Sequence, residues 1–195
     1  MKIKEQYALI SVFDKINLDF VCKIFKKNNI KIISTGSTSK YIKKIGYHSI
    51  SVSNLTKFKE ILDGRVKTIH PKIHASLLYK RSDKNHIKSF KKLNFPIINF
   101  VIVNLYPFEK TINLYKSNNN KAIEMIDIGG PALLRSAAKN YEHVTTVSNP
   151  SDYKNLINNM KLNGETTLEF RRKMAAKVFS ATANYDAIIG KWFKN

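Results

Sequence analysis

The sequence predicts an α/β fold: a mostly parallel sheet with helices on both faces. Three observations lead there. Short apolar runs alternate along the chain with stretches of helical periodicity. The run Phe100-Val101-Ile102-Val103 is apolar without alternation, as expected of a strand covered on both sides. A length of 195 residues with 43% hydrophobic content is enough for one domain with a proper core.

Taken in order, Ala8-Leu9-Ile10-Ser11-Val12 reads as the first buried strand. Residues 15–28 carry helical spacing, with Leu18, Val21, Cys22 and Phe25 on one face. Lys31 to Ser34 is the second strand, Ser37 to Ile45 a short helix, and Ile50 to Val52 a third strand. Phe100 to Leu105 is the central strand and Val144 to Val147 the last, followed by helices over residues 151–161 and 166–189. There is no internal repeat. The polar loop Ser117 to Lys121 is too short for a domain linker, so residues 1–195 read as a single domain. Right-handed crossovers line up the strand C-terminal ends along one edge, where ligands of open α/β sheets bind.

Several unusual segments fall at those ends. Ser34-Thr35-Gly36-Ser37-Thr38 opens a helix after the second strand, where unpaired N–H groups and the helix dipole favour an anion. Plain capping by Ser37 or Thr38 is the other reading. Asp63-Gly64-Arg65-Val66-Lys67-Thr68-Ile69-His70-Pro71 crowds two cations, a hydroxyl and a histidine between backbone breakers. It reads either as a rigid loop presenting Arg65, Lys67 and Thr68 to a phosphate or oxyanion, or as a solvated basic loop.

Asp127-Ile128-Gly129-Gly130-Pro131 precedes a helix, with Pro131 suited to its first turn. The glycines leave N–H groups for an oxyanion or carbonyl. Asp127 reads as a helix cap or a proton acceptor, and Lys139 as a helix-ending cation or its electrostatic partner. Tyr106, after the central strand, is a core phenol or one aimed into the strand-end cleft. His70 and His74 are four apart, but Pro71 interrupts a regular helix between them and no further ligands complete a metal set. No Gly-x-Ser-x-Gly elbow supports serine hydrolase chemistry.

The net charge of +20, from 34 basic and 14 acidic residues, favours anionic ligands, although the lysines are spread along the chain as AT-rich coding would also spread them. No helix-turn-helix, zinc-finger or RNP-type pattern supports a nucleic-acid binder. Cys22, the only cysteine, falls on an apolar helix face and reads as a core thiol. No apolar run is long enough to span a bilayer, and Met1 to Lys4 leads into a strand without a signal-peptide core. The expectation is a cytoplasmic protein.

Together, Ser11 to Lys15, Ser34 to Thr38, Asp63 to Pro71, Asn104 to Phe108, Ile126 to Asn140 and the late segment Phe170 to Phe179 resemble the IMP cyclohydrolase domain of the bifunctional AICAR transformylase/IMP cyclohydrolase family. The resemblance runs in order through essentially the whole chain. It implies a Rossmann-like three-layer fold similar to methylglyoxal synthase. The implied reaction is dehydrative ring closure of 5-formamidoimidazole-4-carboxamide ribotide to IMP, without cofactor or metal. By resemblance, Lys67 stabilises the oxyanion, with N–H groups near Gly129 and Gly130 assisting. Asp127 takes the proton, with Tyr106 and Lys139 tuning or orienting it. Lys15, Ser34, Gly36, Thr38, Arg65 and Thr68 hold the 5′-phosphate and nearby groups, and Ser11, Asn104 and Ile128 belong to the same substrate site.

Two residues depart from the family pattern. Phe13 stands where the family has Ser, and Ser37 where it has Gly, which implies strain if the position needs positive φ. The family's transformylase domain is also absent from these residues. The expected partners are a purine-pathway ribonucleotide and either a separate transformylase or a second copy in a homodimer. Methylglyoxal synthase, or a nucleotide-sensing domain of the same fold, would share the phosphate cradle. The Arg-Val-Lys-Thr and Asn-Leu-Tyr-Pro-Phe segments argue against the first, and the presence of Asp127 with Lys139 against the second.

Overall fold

The computed structural model describes residues 5–114, 119–161 and 163–194. Met1 to Lys4, read as the lead-in to the first strand, and Ser117 and Asn118 of the polar loop lie outside the described residues. The chain runs through β1 (Gln6–Val12), α1 (Leu18–Lys27), β2 (Lys31–Ser34), α2 (Gly36–Lys44), β3 (Ile50–Ser51) and α3 (Val52–Thr56). After a 3-10 turn at Leu62–Gly64 come α4 (Pro71–Leu78), α5 (Lys84–Leu93), β4 (Ile97–Asn104), α6 (Phe108–Leu114), α7 (Asn119–Glu124) and α8 (Gly129–Lys139). Then follow β5 (Thr145–Val147), a 3-10 turn at Pro150–Asp152, α9 (Tyr153–Asn159) and α10 (Leu168–Trp192).

All four strand pairings are parallel, in the order β3-β2-β1-β4-β5. Side-chain alternation splits the core into two layers. Ala8, Ile10, Phe100 and Ile102 pack with Leu18, Val21, Cys22 and Phe25 of α1 and Leu156 of α9. Leu9, Val101 and Val103 pack on the other face with Ile73 of α4, Leu133 and Leu134 of α8 and Val178 of α10. Both faces of β1 and β4 are therefore dry, which is why their sequences do not alternate. Cys22 is fully buried and its thiol pKa is pushed up to about 12 by desolvation, consistent with a core residue.

Some boundaries moved for local reasons. The helix read from residue 15 begins at Leu18, because Asn17 sits in the left-handed region at φ 57° and Asp14 Oδ1 accepts from the Ile16 N–H at 2.9 Å. The polar loop read at Ser117 to Lys121 is helical from Asn119 onward. Helices α4 and α5 carry cap signals that hydrophobic periodicity does not register. His70 Nδ1 accepts from the Lys72 N–H at 3.1 Å ahead of Pro71. Asp83 Oδ1 accepts from the Asn85 and His86 N–H groups at 2.8 and 3.0 Å. No helix among the described residues is long and apolar enough to cross a membrane.

Candidate active site

The strand order reverses between β1 and β4: the chain moves outward from β1 to β2 and β3, then returns to place β4 on the other side of β1. A crevice opens at such a switch point. Here it is a cleft of about 780 Å³. Its walls are the ends of β1, β2 and β4, the 63–68 loop and residues 123–130.

At the β2 end, Thr35 precedes α2 but its side chain does not cap the helix; its hydroxyl instead meets Ser11 Oγ at 2.8 Å. The first N–H groups of α2 thus carry no side-chain cap and face an anion-favouring position. Neither Ser37 nor Thr38 is the cap. Thr38 Oγ1 accepts from the Val12 N–H at 3.0 Å and donates to the Val12 carbonyl at 3.1 Å, tying α2 to the end of β1. Ser37 is helical and is not among the positive-φ residues, so its extra Cβ brings no backbone strain. Ser34 is set back from the cleft lining. It is fully buried, does not line the cleft, and its Oγ has no hydrogen-bond partner among the described residues.

Asn104, at the end of β4, accepts at Oδ1 from the N–H groups of Phe13 (2.7 Å) and Asp14 (3.0 Å) and donates from Nδ2 to the Asp14 carbonyl at 2.8 Å. Its amide is spent on fixing the β1–α1 loop, so its place in the site is to hold that wall. Lys15 lines the cleft, with Nζ donating to the Phe13 carbonyl at 3.0 Å. Tyr106 is 37% exposed and its ring lies against Phe13, centroids 4.4 Å apart. Tyr106 is therefore the cleft phenol of the two readings, not a core residue.

The 61–66 segment is a tight turn closed by the Ile61–Val66 bridge, with Leu62 and Asp63 both at φ 53° and Gly64 at φ 88°. It presents Lys67 and Arg65 to the cleft and buries Thr68. Lys67 Nζ is 3.0 Å from Glu60 Oε2, and Arg65 makes a two-armed ion pair with Glu124 of α7. That pair raises the guanidinium pKa and lowers that of the carboxyl. A Cβ built on Gly36 would lie 3.9 Å from Lys67 Nζ, so the lysine and the start of α2 face each other.

Across the cleft, Asp127 Oδ1 accepts from the Gly130 N–H at 2.8 Å, and the Asp127 N–H donates to Tyr185 Oη of α10 at 2.8 Å. Desolvation raises the Asp127 pKa, outweighing the opposing pull of the Gly130 N–H and of Lys67. The carboxylate is both helix cap and cleft base candidate. Both glycines are closely packed by side chains: a Cβ on Gly129 would come within 2.7 Å of Thr68 Oγ1, and one on Gly130 within 2.4 Å of Asp127 Oδ2 and 2.7 Å of Leu105, so those side chains would have to shift. The Gly130 N–H is committed to Asp127, which leaves Gly129 as the donor of that turn. Ile128 lines the cleft and is 61% exposed.

Lys139 lies apart from these residues. It is exposed at the last turn of α8 and does not line the cleft. Ten residues of helix separate it from Gly129, about 15 Å at ~1.5 Å each. Its charge serves the helix C-terminus.

Among the described residues no cluster of three or more His, Cys, Asp or Glu could hold a metal. His70 caps α4, and His74 Nδ1 meets Ser136 Oγ of α8 at 2.9 Å, joining the helix behind the Lys67 loop to the helix behind Asp127. Burial lowers the His74 pKa, against the Thr68 backbone pulling the other way. Sequence reasoning passed over Glu60, Glu124 and Tyr185. Distant pairings reveal the last two: Glu124 is 59 residues from Arg65 and Tyr185 is 58 from Asp127.

With this geometry in hand, the similarities to known proteins can be stated. A family model described as an MGS-like domain matches residues 17–132, and one described as the AICARFT/IMPCHase bienzyme matches residues 137–195. The bifunctional purine biosynthesis protein PurH of Lactobacillus acidophilus is 51% identical over 185 residues, which are 95% of this chain and 36% of that protein. Its namesake from Ruminiclostridium cellulolyticum is 45% identical over 188 residues, 96% of this chain and 37% of that one. The chain thus spans little more than a third of the length of these relatives. The crystal structure of ForH matches with a TM-score of 0.86 and 26% identity, over 97% of each chain.

Proposed function

This chain belongs to the family of MGS-like domains and matches the AICARFT/IMPCHase bienzyme over residues 137–195, and on that premise we propose that it is an IMP cyclohydrolase of purine biosynthesis. The observation that carries the reading is a carboxyl group with a raised pKa, Asp127, sharing one cleft with Lys67, Tyr106 and an uncapped helix start. Ring closure of the formamido ribotide needs those parts and no redox chemistry.

Nucleophile and electrophile lie on the same substrate molecule, so the protein has to hold a productive rotamer rather than gather two reactants. The 5′-phosphate lies on the N–H groups of Gly36 and Ser37, with Arg65 and Lys15 supplying charge. Thr38, Asn104 and Ser11 hold the walls of that cradle through their own hydrogen bonds. Asp127 takes a proton from the carboxamide nitrogen as it attacks the formyl carbon; its raised pKa makes it a stronger base than an ordinary aspartate. Lys67 and the Gly129 N–H receive the developing oxyanion, and Tyr106 orients the reacting end. The oxyanion then takes the proton held by Asp127, and the resulting hydroxyl leaves as water with the hydrogen of the formamido nitrogen as the C=N bond forms, giving IMP.

Residues 1–195 act as one cyclohydrolase unit without cofactor or metal, in the cytoplasm, alone or as a homodimer. A transformylase, separate or joined, supplies the formylated ribotide. The high positive charge assists capture of the anionic substrate. Lys67→Ala tests the assignment. Losing one oxyanion donor costs on the order of 100- to 1,000-fold in rate, so IMP formation followed by ultraviolet absorbance should fall by that amount. Near-normal turnover would remove Lys67 from the mechanism.

A further inference from the structure

Asp127 is held at two points, and only one of them lies in the helix start it caps. Its carboxylate accepts from the Gly130 N–H at 2.8 Å, at the head of α8. Its backbone N–H donates across 58 residues to Tyr185 Oη of α10, also at 2.8 Å. The residues just before it are tied locally, the Met125 N–H to the Ala122 carbonyl and the Ile126 N–H to the Ile123 carbonyl, each at 3.1 Å. Tyr185 is built to keep its hydroxyl still. It is buried, and its ring meets Phe108 of α6 edge-on with centroids 6.4 Å apart. Phe108 is buried in turn and meets Trp192 of α10 in the same manner at 5.6 Å. Earlier along α10, Ala175 and Val178 pack in the core layer that holds Leu133 and Leu134 of α8. The helix that carries Tyr185 is thus packed against the helix that Asp127 caps. Among the described residues none of α10 lines the cleft, so Tyr185 reaches the chemistry only through Asp127.

We propose that Tyr185 is a positioning residue for the cleft carboxylate: its hydroxyl holds the Asp127 backbone while the Gly130 N–H holds the side chain, so that the carboxylate meets the substrate in one orientation. The proposal rests on the cyclohydrolase reading and extends it to α10. One hydrogen bond to a carboxylate oxygen leaves the main chain of that turn free to swing. A second hold on the backbone removes that freedom before substrate arrives, and supporting hydrogen bonds of this kind are what keep a reacting group within a narrow range of geometry. The phenol also answers a need of the backbone, since an N–H turned away from water without an acceptor is costly.

The test is steady-state kinetics on the full chain, following IMP formation from the formamido ribotide. Tyr185→Phe keeps the ring beside Phe108 and removes the acceptor. Its kcat should fall on the order of 10- to 100-fold, the scale of a slightly misplaced reacting group. KM should stay within about twofold, because the contacts that bind the substrate are untouched. Val178→Ala is the control. It opens a cavity at a fully buried position about two turns earlier on the same helix, and its kcat should stay within about twofold of wild type. Equal losses in the two variants would make Tyr185 a packing residue and overturn the proposal, as would normal turnover in Tyr185→Phe or a rise in KM alone. Amide hydrogen exchange supplies a readout that needs no turnover. The Asp127 N–H should exchange about 10-fold faster in Tyr185→Phe, the scale of one hydrogen bond, and unchanged exchange would overturn the backbone hold. A wild-type chain that forms no IMP would sink the cyclohydrolase reading, whereas IMP formation indifferent to Tyr185→Phe would sink the positioning role alone.

Discussion

Helices α2 and α8 both start at the cleft on a glycine, yet the two starts are built for opposite purposes. At α2 the residue before the helix, Thr35, gives its hydroxyl to Ser11, and the nearest heavy atom to a Cβ on Gly36 would be Lys67 Nζ at 3.9 Å. At α8 a carboxylate already occupies the helix start, with Asp127 Oδ1 on the Gly130 N–H, and a Cβ on either glycine would collide with its surroundings. The first start is left open by its neighbours. The second carries its own anion and is closed around it. A helix N-terminus is electrostatically the same object in both places; the neighbours decide whether it binds a ligand or tunes a side chain.

The largest effect that could break this contrast is at Asp127. Asp127→Asn keeps an oxygen to accept from Gly130 but removes the base, and general-base losses run on the order of 100- to 10,000-fold. The wild-type acid limb of kcat/KM should lie above the ordinary aspartate value of about 4 and disappear in the variant. The stability sign is opposite. A carboxyl whose folded pKa is raised contributes stability below its unfolded pKa and loses it as pH rises through the folded one. At neutral pH the ionised Asp127 is thus a cost that the asparagine lacks. A thermal melt should show the variant at least as stable as wild type there, and a destabilised variant would show that the desolvation argument is wrong.

A smaller effect sharpens the contrast between the glycines. Gly130→Ala forces a methyl against Asp127 and Leu105, and overpacking of this kind costs roughly 1–3 kcal/mol. Gly36→Ala adds a methyl at ordinary contact distance in a helical position, where alanine is favoured over glycine by about 1 kcal/mol at most. Urea unfolding of the two variants should therefore separate them clearly. Equal stabilities would mean that α8 has room the structure does not show.

The smallest effect concerns the far end of α8. Lys139→Ala changes an exposed side chain, and such changes stay within about 0.5 kcal/mol. In the ring-closure assay it should cost roughly twofold or less, the equivalent of that energy. A loss as large as that of Lys67→Ala would bring Lys139 back into the chemistry.

The fold and many of the residues that line the cleft were legible in the chain for identifiable reasons. Phe100 to Val103 reads as a doubly covered strand because both neighbouring layers select apolar residues there. Arg65, Lys67, Asp127 and the glycine pair are readable because each lies in a short segment whose backbone breakers mark a strand end or helix start. Ser34 and Lys139 lie outside the cleft lining, which the sequence does not show, because proximity to a turn does not say how deep a side chain is buried or how far a helix carries it. Helices α4 and α5 escaped because their starts are set by caps at His70 and Asp83, which hydrophobic periodicity does not register.

By itself, the sequence determined the alternation of strands and helices, the glycines and proline that shape the turns, and the residue types gathered at the strand ends. These follow from local backbone chemistry and from the burial of apolar faces. Only the tertiary structure decided that β4 lies beside β1, that Asn104 locks the Phe13 loop, that Tyr185 reaches the Asp127 backbone, and that burial outweighs Lys67 in setting the Asp127 pKa. Each of these joins residues far apart in the chain. Desolvation and electrostatic coupling depend on distance in space, which local pattern along the sequence does not encode.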